Sequence, residues 1–378
     1  MLNDADLDAA VADGIVTEAQ ASALRELARR RERERAAALG HEERFRFMRG
    51  FNDVFFAIGV VLFVAGFLYF TPRAGSGYVI TAAVVWGLAE LLVARLRLVL
   101  PGILLASAFV VLVFLAAVQV PVESTLASET WWPRSMLPPS GILDVLHFYP
   151  GGPLAFAARA LFATAAAAAF YWRFKLPFAL LPLAASLIVA AAGVASFLIP
   201  RSLAVPDSVV LLICGLGVFA AAMSFDASDR ERVTRRADCA FWLHLLAAPL
   251  IVHSVIQLVT PSLVGSSRYF GIRFSPGMTS ELAIAIVLIV ALLAIVAVVI
   301  DRRALLVSGL AYLGAAVGYA LTGAAAESGP GFKVAATLVI LGALVLTLGV
   351  GWVPLRRRLL ALLSPTIANR LPPVPARP

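Results

Sequence analysis

The stretch ELAIAIVLIVALLAIVAVVI, Glu281 to Ile300, sets nineteen apolar residues after a single carboxylate and runs directly into Asp301, Arg302 and Arg303. Twenty helical residues rise about 30 Å, which matches the hydrocarbon thickness of a bilayer. A helix at a protein–water surface keeps one polar face. This stretch has none, so it reads as a membrane span, and the basic pair after it marks the side retained in the cytoplasm.

The rest of the chain repeats the pattern. Of 378 residues, 61% are hydrophobic and 14% charged, against about 25% charged in ordinary soluble domains. The same rule yields ten spans, approximately 52–70, 76–94, 98–120, 153–172, 177–198, 207–225, 239–259, 281–300, 303–322 and 332–355. The predicted fold is therefore all-α: a polytopic transmembrane helical bundle, residues 50–356, carrying a small N-terminal hairpin. Two connections are long, 121–152 with the pair Trp131–Trp132 suited to the membrane interface, and 260–280 with SSRYFGIRFSPG. Cys214 and Cys239 lack CxxC spacing and read as small buried hydrophobes.

The net charge of +8 invites a nucleic-acid reading, but the positions of the basic residues answer it. With both termini inside, 24 of the 31 Lys and Arg residues fall in cytoplasmic segments. These include nine arginines from Arg25 to Arg49, then Arg173, Lys175, Arg302, Arg303 and Arg356 to Arg358. An even number of spans satisfies every connection, so the excess positive charge is a topology signal and no nucleic-acid partner is expected. The opening MLNDADLDAAVADG lacks a basic region before an apolar core, so the first span is expected to act as an uncleaved insertion signal.

Residues 1–49 form the sizeable soluble part: a cytoplasmic hairpin and a charged linker. Asn3 suits the cap of a helix through Ala12, Gly14 its C′ position, and Thr17 to Gln20 a capping box for a second helix. The linker alternates Glu and Arg and reads first as a solvated helix that also enforces topology, with Arg44 to Arg49 placed to meet anionic headgroups of the bilayer, an expected partner. Residues 357–378 are a Pro-rich cytoplasmic tail. The run LDAAVADGIVTEAQASALRELARR, Leu7 to Arg30, resembles the N-terminal hairpin of DUF2157-type bacterial membrane proteins, where an acidic helix, a GIxT turn and an EAQ-containing helix precede a bundle of spans. That resemblance implies a bacterial cytoplasmic (inner) membrane and carries no activity with it.

Signatures of chemistry are sparse. HEERF at His41 to Phe45 lacks the second histidine of a zinc protease, and no GxSxG, GxxxxGK[ST] or strand-linked GxGxxG occurs. Neither a cofactor nor a metal is expected. What remains are polar groups inside spans, where ionisable side chains are functional candidates because their burial is costly. These are Glu90, Arg159, His244, His253 and Gln257, with Asp53 at a span start. His244 and His253 flank Pro249, which lacks an N–H and is expected to kink the seventh span. The nine-residue step turns the helix by about 900° and raises it about 13 Å, so the two rings face opposite ways and cannot share a metal. Asp238, His253 and Gln257 share a sector of about 100°, while Glu90 and His244 are read first as making separate structural hydrogen bonds, with depth also allowing them to meet as an ion pair or proton relay. Asp226, Asp229 and Asp238 cluster around DRERVTRRAD, where a solvated topology loop accounts for them.

Three functions are compatible with these residues. The leading one is a noncatalytic membrane protein whose hairpin binds or regulates a protein partner. The alternative is a secondary transporter for a small solute, since ten spans can divide into two inverted halves, although the long connections follow spans three and seven and break that symmetry. A lipid-modifying membrane enzyme, resting on the acidic cluster, comes last. Oligomeric state and substrate are not encoded legibly.

Overall fold

The computed structural model describes residues 4–27, 30, 51–72, 74–120, 152–199, 207–229, 234–259, 279–324, 329–364 and 371–372. Within these the chain forms twelve α-helices and no strand. Helix α1 is Asp4–Ala12 and α2 covers residues 18–27. The long helices are α3 (Phe51–Phe70), α4 (Gly75–Ala89), α5 (Val99–Val118), α6 (Gly152–Phe174), α7 (Leu180–Leu198), α8 (Asp207–Ser228), α9 (Arg235–Val259), α10 (Ser280–Ile300), α11 (Ala304–Ala324) and α12 (Pro330–Ala361). A π turn, Glu90–Arg95, extends α4, and a 3₁₀ turn, Pro177–Ala179, opens α7.

Ten of these helices are long and apolar enough to cross a membrane, the build of a multi-pass membrane protein. Their limits follow the expected ones closely at most ends. Two run longer: α9 starts at Arg235, and α12 continues to Ala361, past the expected boundary at 356. In α12 the basic triplet ends the apolar stretch without ending the helix, because Leu359 and Leu360 pack beside Trp352 and Leu305. Both long connections, 121–151 and 260–278, and the charged linker 31–50 lie outside the described residues.

The hairpin follows the local code. Gly14 takes φ +69°, the left-handed conformation that ends α1. Thr17 N donates to Gln20 Oε1 (2.9 Å) and Gln20 N to Thr17 Oγ1 (3.3 Å), the reciprocal bonds of a capping box. Leu7 and Ala21 are buried, Arg25 pairs with Asp8 across the turn, and Ile15, Leu24 and Leu27 face outward.

In the bundle, α4 packs on α5, α6 on α7, α8 on α9, and α10 on α11. Helix α9 is central: it touches α7, α8, α10, α11 and the 3₁₀ turn. The α3–α6 side is filled by aromatic rings, Trp86 lying 5.1 Å from Phe109 and 5.2 Å from Phe174, with Phe170 and Phe174 at 4.5 Å. Small residues bring other helices close. A Cβ on Gly193 would lie 2.8 Å from the Pro153 carbonyl oxygen, and one on Gly314 3.2 Å from Leu341, so the GxxxG pair Gly314–Gly318 serves the α11–α12 contact. Large apolar side chains such as Phe55, Leu62, Phe162, Ile213, Leu288, Leu338 and Val350 stand exposed, as a lipid-facing surface requires.

Candidate functional site

One end of the bundle collects its charge. There α4, α6, α8, α10 and α12 finish, and α3, α5, α7, α9 and α11 begin. Three residues at the turns on this end, Arg97, Lys175 and Asp301, adopt positive φ (55°, 52° and 58°). Such left-handed residues let a helix end and reverse sharply. Arg and Lys beside helix C-termini also complement the partial negative charge there.

Asp226 sits in the last turn of α8, where its carboxylate meets the unfavourable end of the helix dipole and calls for cations. Two side chains reach it. Arg302 Nε donates to Oδ2 (3.0 Å) and Arg302 Nη2 to Oδ1, a forked contact on both oxygens. His244, in the third turn of α9, donates from Nε2 to Oδ2 (2.9 Å). The side chains are 5%, 3% and 0% exposed for Asp226, Arg302 and His244, so this charged cluster is set into the bundle. Phe219 closes over the imidazole with ring centres 5.3 Å apart.

The turn that supplies Arg302 explains its aim. Asp301 lies in the left-handed region, with Arg302 N bonded to Ala297 O (2.8 Å) and Asp301 N to Val298 O (3.2 Å). This is the Schellman pattern, with aspartate where glycine is commonest. It points Arg302 inward, where Nη2 also donates to the Ala237 carbonyl at the start of α9 (3.2 Å). Asp301 turns the other way. It accepts from Trp352 Nε1 (2.7 Å) and stands 3.7 Å from Arg356, while Arg303 lies 5.3 Å over the Trp352 ring. Arg356 in turn donates to the Pro372 carbonyl (2.5 Å), and Leu371 is buried beside Trp352 and Leu305. Three consecutive residues therefore tie α8, α9, α12 and the returning tail to a single turn.

The remaining candidates are distributed elsewhere. Glu90, at the start of the π turn, accepts from Arg173 (2.5 Å) on the outer surface of the bundle near this end. Glu90 and His244 thus belong to two separate pairings, the arrangement favoured over the relay that their shared depth allows, because Arg173 and Asp226 are the nearer polar partners. Near the opposite end, Gln257 Nε2 donates to His253 Nε2 (2.9 Å), leaving the neutral ring's proton on Nδ1, 2.6 Å from the Tyr312 hydroxyl. The expected shared face of His253 and Gln257 is present. Arg159 is buried in α6 and donates to the Val120 carbonyl (3.1 Å). Pro249 stands within α9, which is helical on both sides of it.

The acidic cluster needs correction. Asp226 and Asp229 are buried, not solvated in a topology loop: Asp226 is engaged as above, and Asp229 accepts from Thr234 N (2.9 Å) and Oγ1 (2.6 Å). Sequence reasoning named Asp226 for the wrong reason and used Arg302 only as a topology marker. The usable signal was a carboxylate at the C-terminal end of an apolar span, which is electrostatically misplaced unless a cation comes to it. Cys214 and Cys239 are free thiols. No family model, curated protein or solved structure matches this chain.

Proposed function

We propose that this chain is a noncatalytic, multi-pass protein of a bacterial cytoplasmic membrane, of the DUF2157 type that its hairpin resembles. Both termini lie inside, and the N-terminal hairpin binds a protein partner while the bundle anchors it. The observation that carries this reading is the hairpin itself. It closes on Leu7 and Ala21 and turns Ile15, Leu24 and Leu27 toward water, which offers an apolar contact surface on an otherwise charged soluble segment. Arg173, Lys175, Arg302, Arg303 and Arg356, all at one end of the bundle, support the inward orientation of that end.

In a membrane pull-down, the full-length protein is expected to retain its partner, and a Leu24→Asp/Leu27→Asp variant to lose it while the bundle still inserts. Partner retention by the inserted double variant would overturn the reading. A second reading, a secondary transporter for a small solute, is favoured by one observation, the ionisable cluster of Asp226, His244 and Arg302 within the bundle. Ion-coupled solute uptake into vesicles, abolished in Asp226→Asn at unchanged protein level, is the result that would put transport first.

A further inference from the structure

We propose that Asp226, His244 and Arg302 form a proton-binding lock: uptake of one proton by the Asp226–His244 pair loosens the grip of Arg302 and frees the α10–α11 turn from α8 and α9. The inference goes beyond the hairpin's role and does not depend on it.

The geometry sets the charge balance. With His244 neutral, the carboxylate and the guanidinium cancel, and both carboxylate oxygens are engaged: Oδ1 by Arg302, Oδ2 by Arg302 and His244. One added proton leaves a net charge of about +1 in a cluster almost closed to water, a costly arrangement unless an anion or water arrives. On His244 the proton sets two cations on one carboxylate. On Asp226 it breaks the forked contact and leaves Arg302 unbalanced. Either placement favours a hydrated, opened cluster over the closed one.

The surroundings do not absorb that charge. Phe219 covers the imidazole, and Ala237, Leu243, Ala247 and Ala248 are buried apolar neighbours along α9. Among the described residues, the other charged groups on the packed elements are committed or removed from the cluster. Asp229 on α8 is held by Thr234. At the turn, Asp301 is held by Trp352 and Arg356, and Arg303 lies over Trp352. Arg235 and Arg236 lie at the start of α9, two to three turns before His244, and Asp238, next to the Ala237 carbonyl that Arg302 reaches, is under two turns from it; Glu281 is at the far end of α10; and α7 and α11 carry neither Asp, Glu, Lys, Arg nor His.

Opening has a defined place to act. Arg302 is the link from the α10–α11 turn to both Asp226 on α8 and the Ala237 carbonyl on α9. Losing it uncovers the beginning of α9. An unperturbed imidazole titrates between about pH 5 and 8, so proton uptake by the opened, hydrated cluster falls in a range that acidification at this end of the bundle reaches.

The test uses the full-length protein in lipid nanodiscs, where both faces are accessible, with Cys214→Ser, Cys239→Ser and a reporter, Ala237→Cys. Maleimide labelling of the reporter is measured from about pH 8 to pH 5.5, each rate divided by that of the denatured protein at the same pH. The expected result is a rise of roughly tenfold or more toward acid, the response to one proton over more than one pH unit. In His244→Gln, which keeps an N–H donor for Asp226, the rise is expected to vanish. In Asp226→Asn the reporter is expected to label rapidly at every pH. A flat profile in the reporter protein overturns the proposal whatever the variants do, and so does an undiminished rise in either variant that folds.

Discussion

Two ion pairs at the same end of the bundle differ in one respect, and that difference separates a surface ornament from a structural joint. Glu90 and Arg173 meet at 2.5 Å with side chains 35% and 51% exposed. Asp226 and Arg302 meet as closely but at 5% and 3%, with His244 fully covered beside them. An exposed pair is screened by water and typically contributes about 0–1 kcal/mol. A buried pair contributes little net stability as a pair, yet removing one member leaves an uncompensated charge and costs about 3–5 kcal/mol. The first is dispensable. The second constrains which helices stay together.

The largest effect is therefore expected from Asp226→Ala, which strands Arg302 beneath α8 and α9: a loss of about 3–5 kcal/mol, read as a lowered thermal midpoint in detergent. Asp226→Ala/His244→Leu/Arg302→Met should recover most of that loss, since apolar replacements of a whole buried cluster are often neutral or stabilising. If the single and triple variants lose equally, packing and not charge holds the joint.

A smaller effect tests the other side of the comparison, where shape and not charge joins the helices. On α7, Gly193→Ala forces a Cβ to 2.8 Å from the Pro153 carbonyl oxygen and 2.9 Å from the Ala157 Cβ. The backbone oxygen cannot swing away as a side chain would, so α6 and α7 must separate. A cost of about 1–3 kcal/mol is expected from such overpacking, checked by denaturation of the same detergent preparation. No change would mean that the α6–α7 contact yields easily.

The membrane architecture was legible because lipid imposes a crude, unbroken rule: about twenty apolar residues per crossing, with basic residues held inside. Leu282 to Ile300 could be nothing else, and the hairpin was legible because Thr17, Gln20 and Gly14 carry strictly local instructions. The cluster was not. Asp226 and Arg302 are 76 residues apart, each lies beside other charged residues at a span end, and depth alone does not say which helices are neighbours. Depth put Glu90 and His244 at one level, and helix packing then gave each a different partner. The same limit hid the tail: nothing local to Leu371 and Pro372 says that they return to Arg356.

The smallest effect sharpens the contrast most directly. Glu90→Gln keeps the size of the side chain and a hydrogen-bond acceptor for Arg173, and removes only the charge. Because both partners are partly exposed and lie near their helix ends, the loss in detergent is expected to be at most about 1 kcal/mol. It should also shrink with added salt, since the Debye length falls from about 10 Å at 0.1 M to about 3 Å at 1 M ionic strength. Asp226→Asn, the equivalent change in the buried cluster, should cost more and keep its cost at high salt, because ions do not enter the closed cluster. Denaturation of both variants at low and high salt separates the cases. Equal salt dependence would mean that Asp226 is as open to solvent as Glu90 and that burial is not what distinguishes the two pairs.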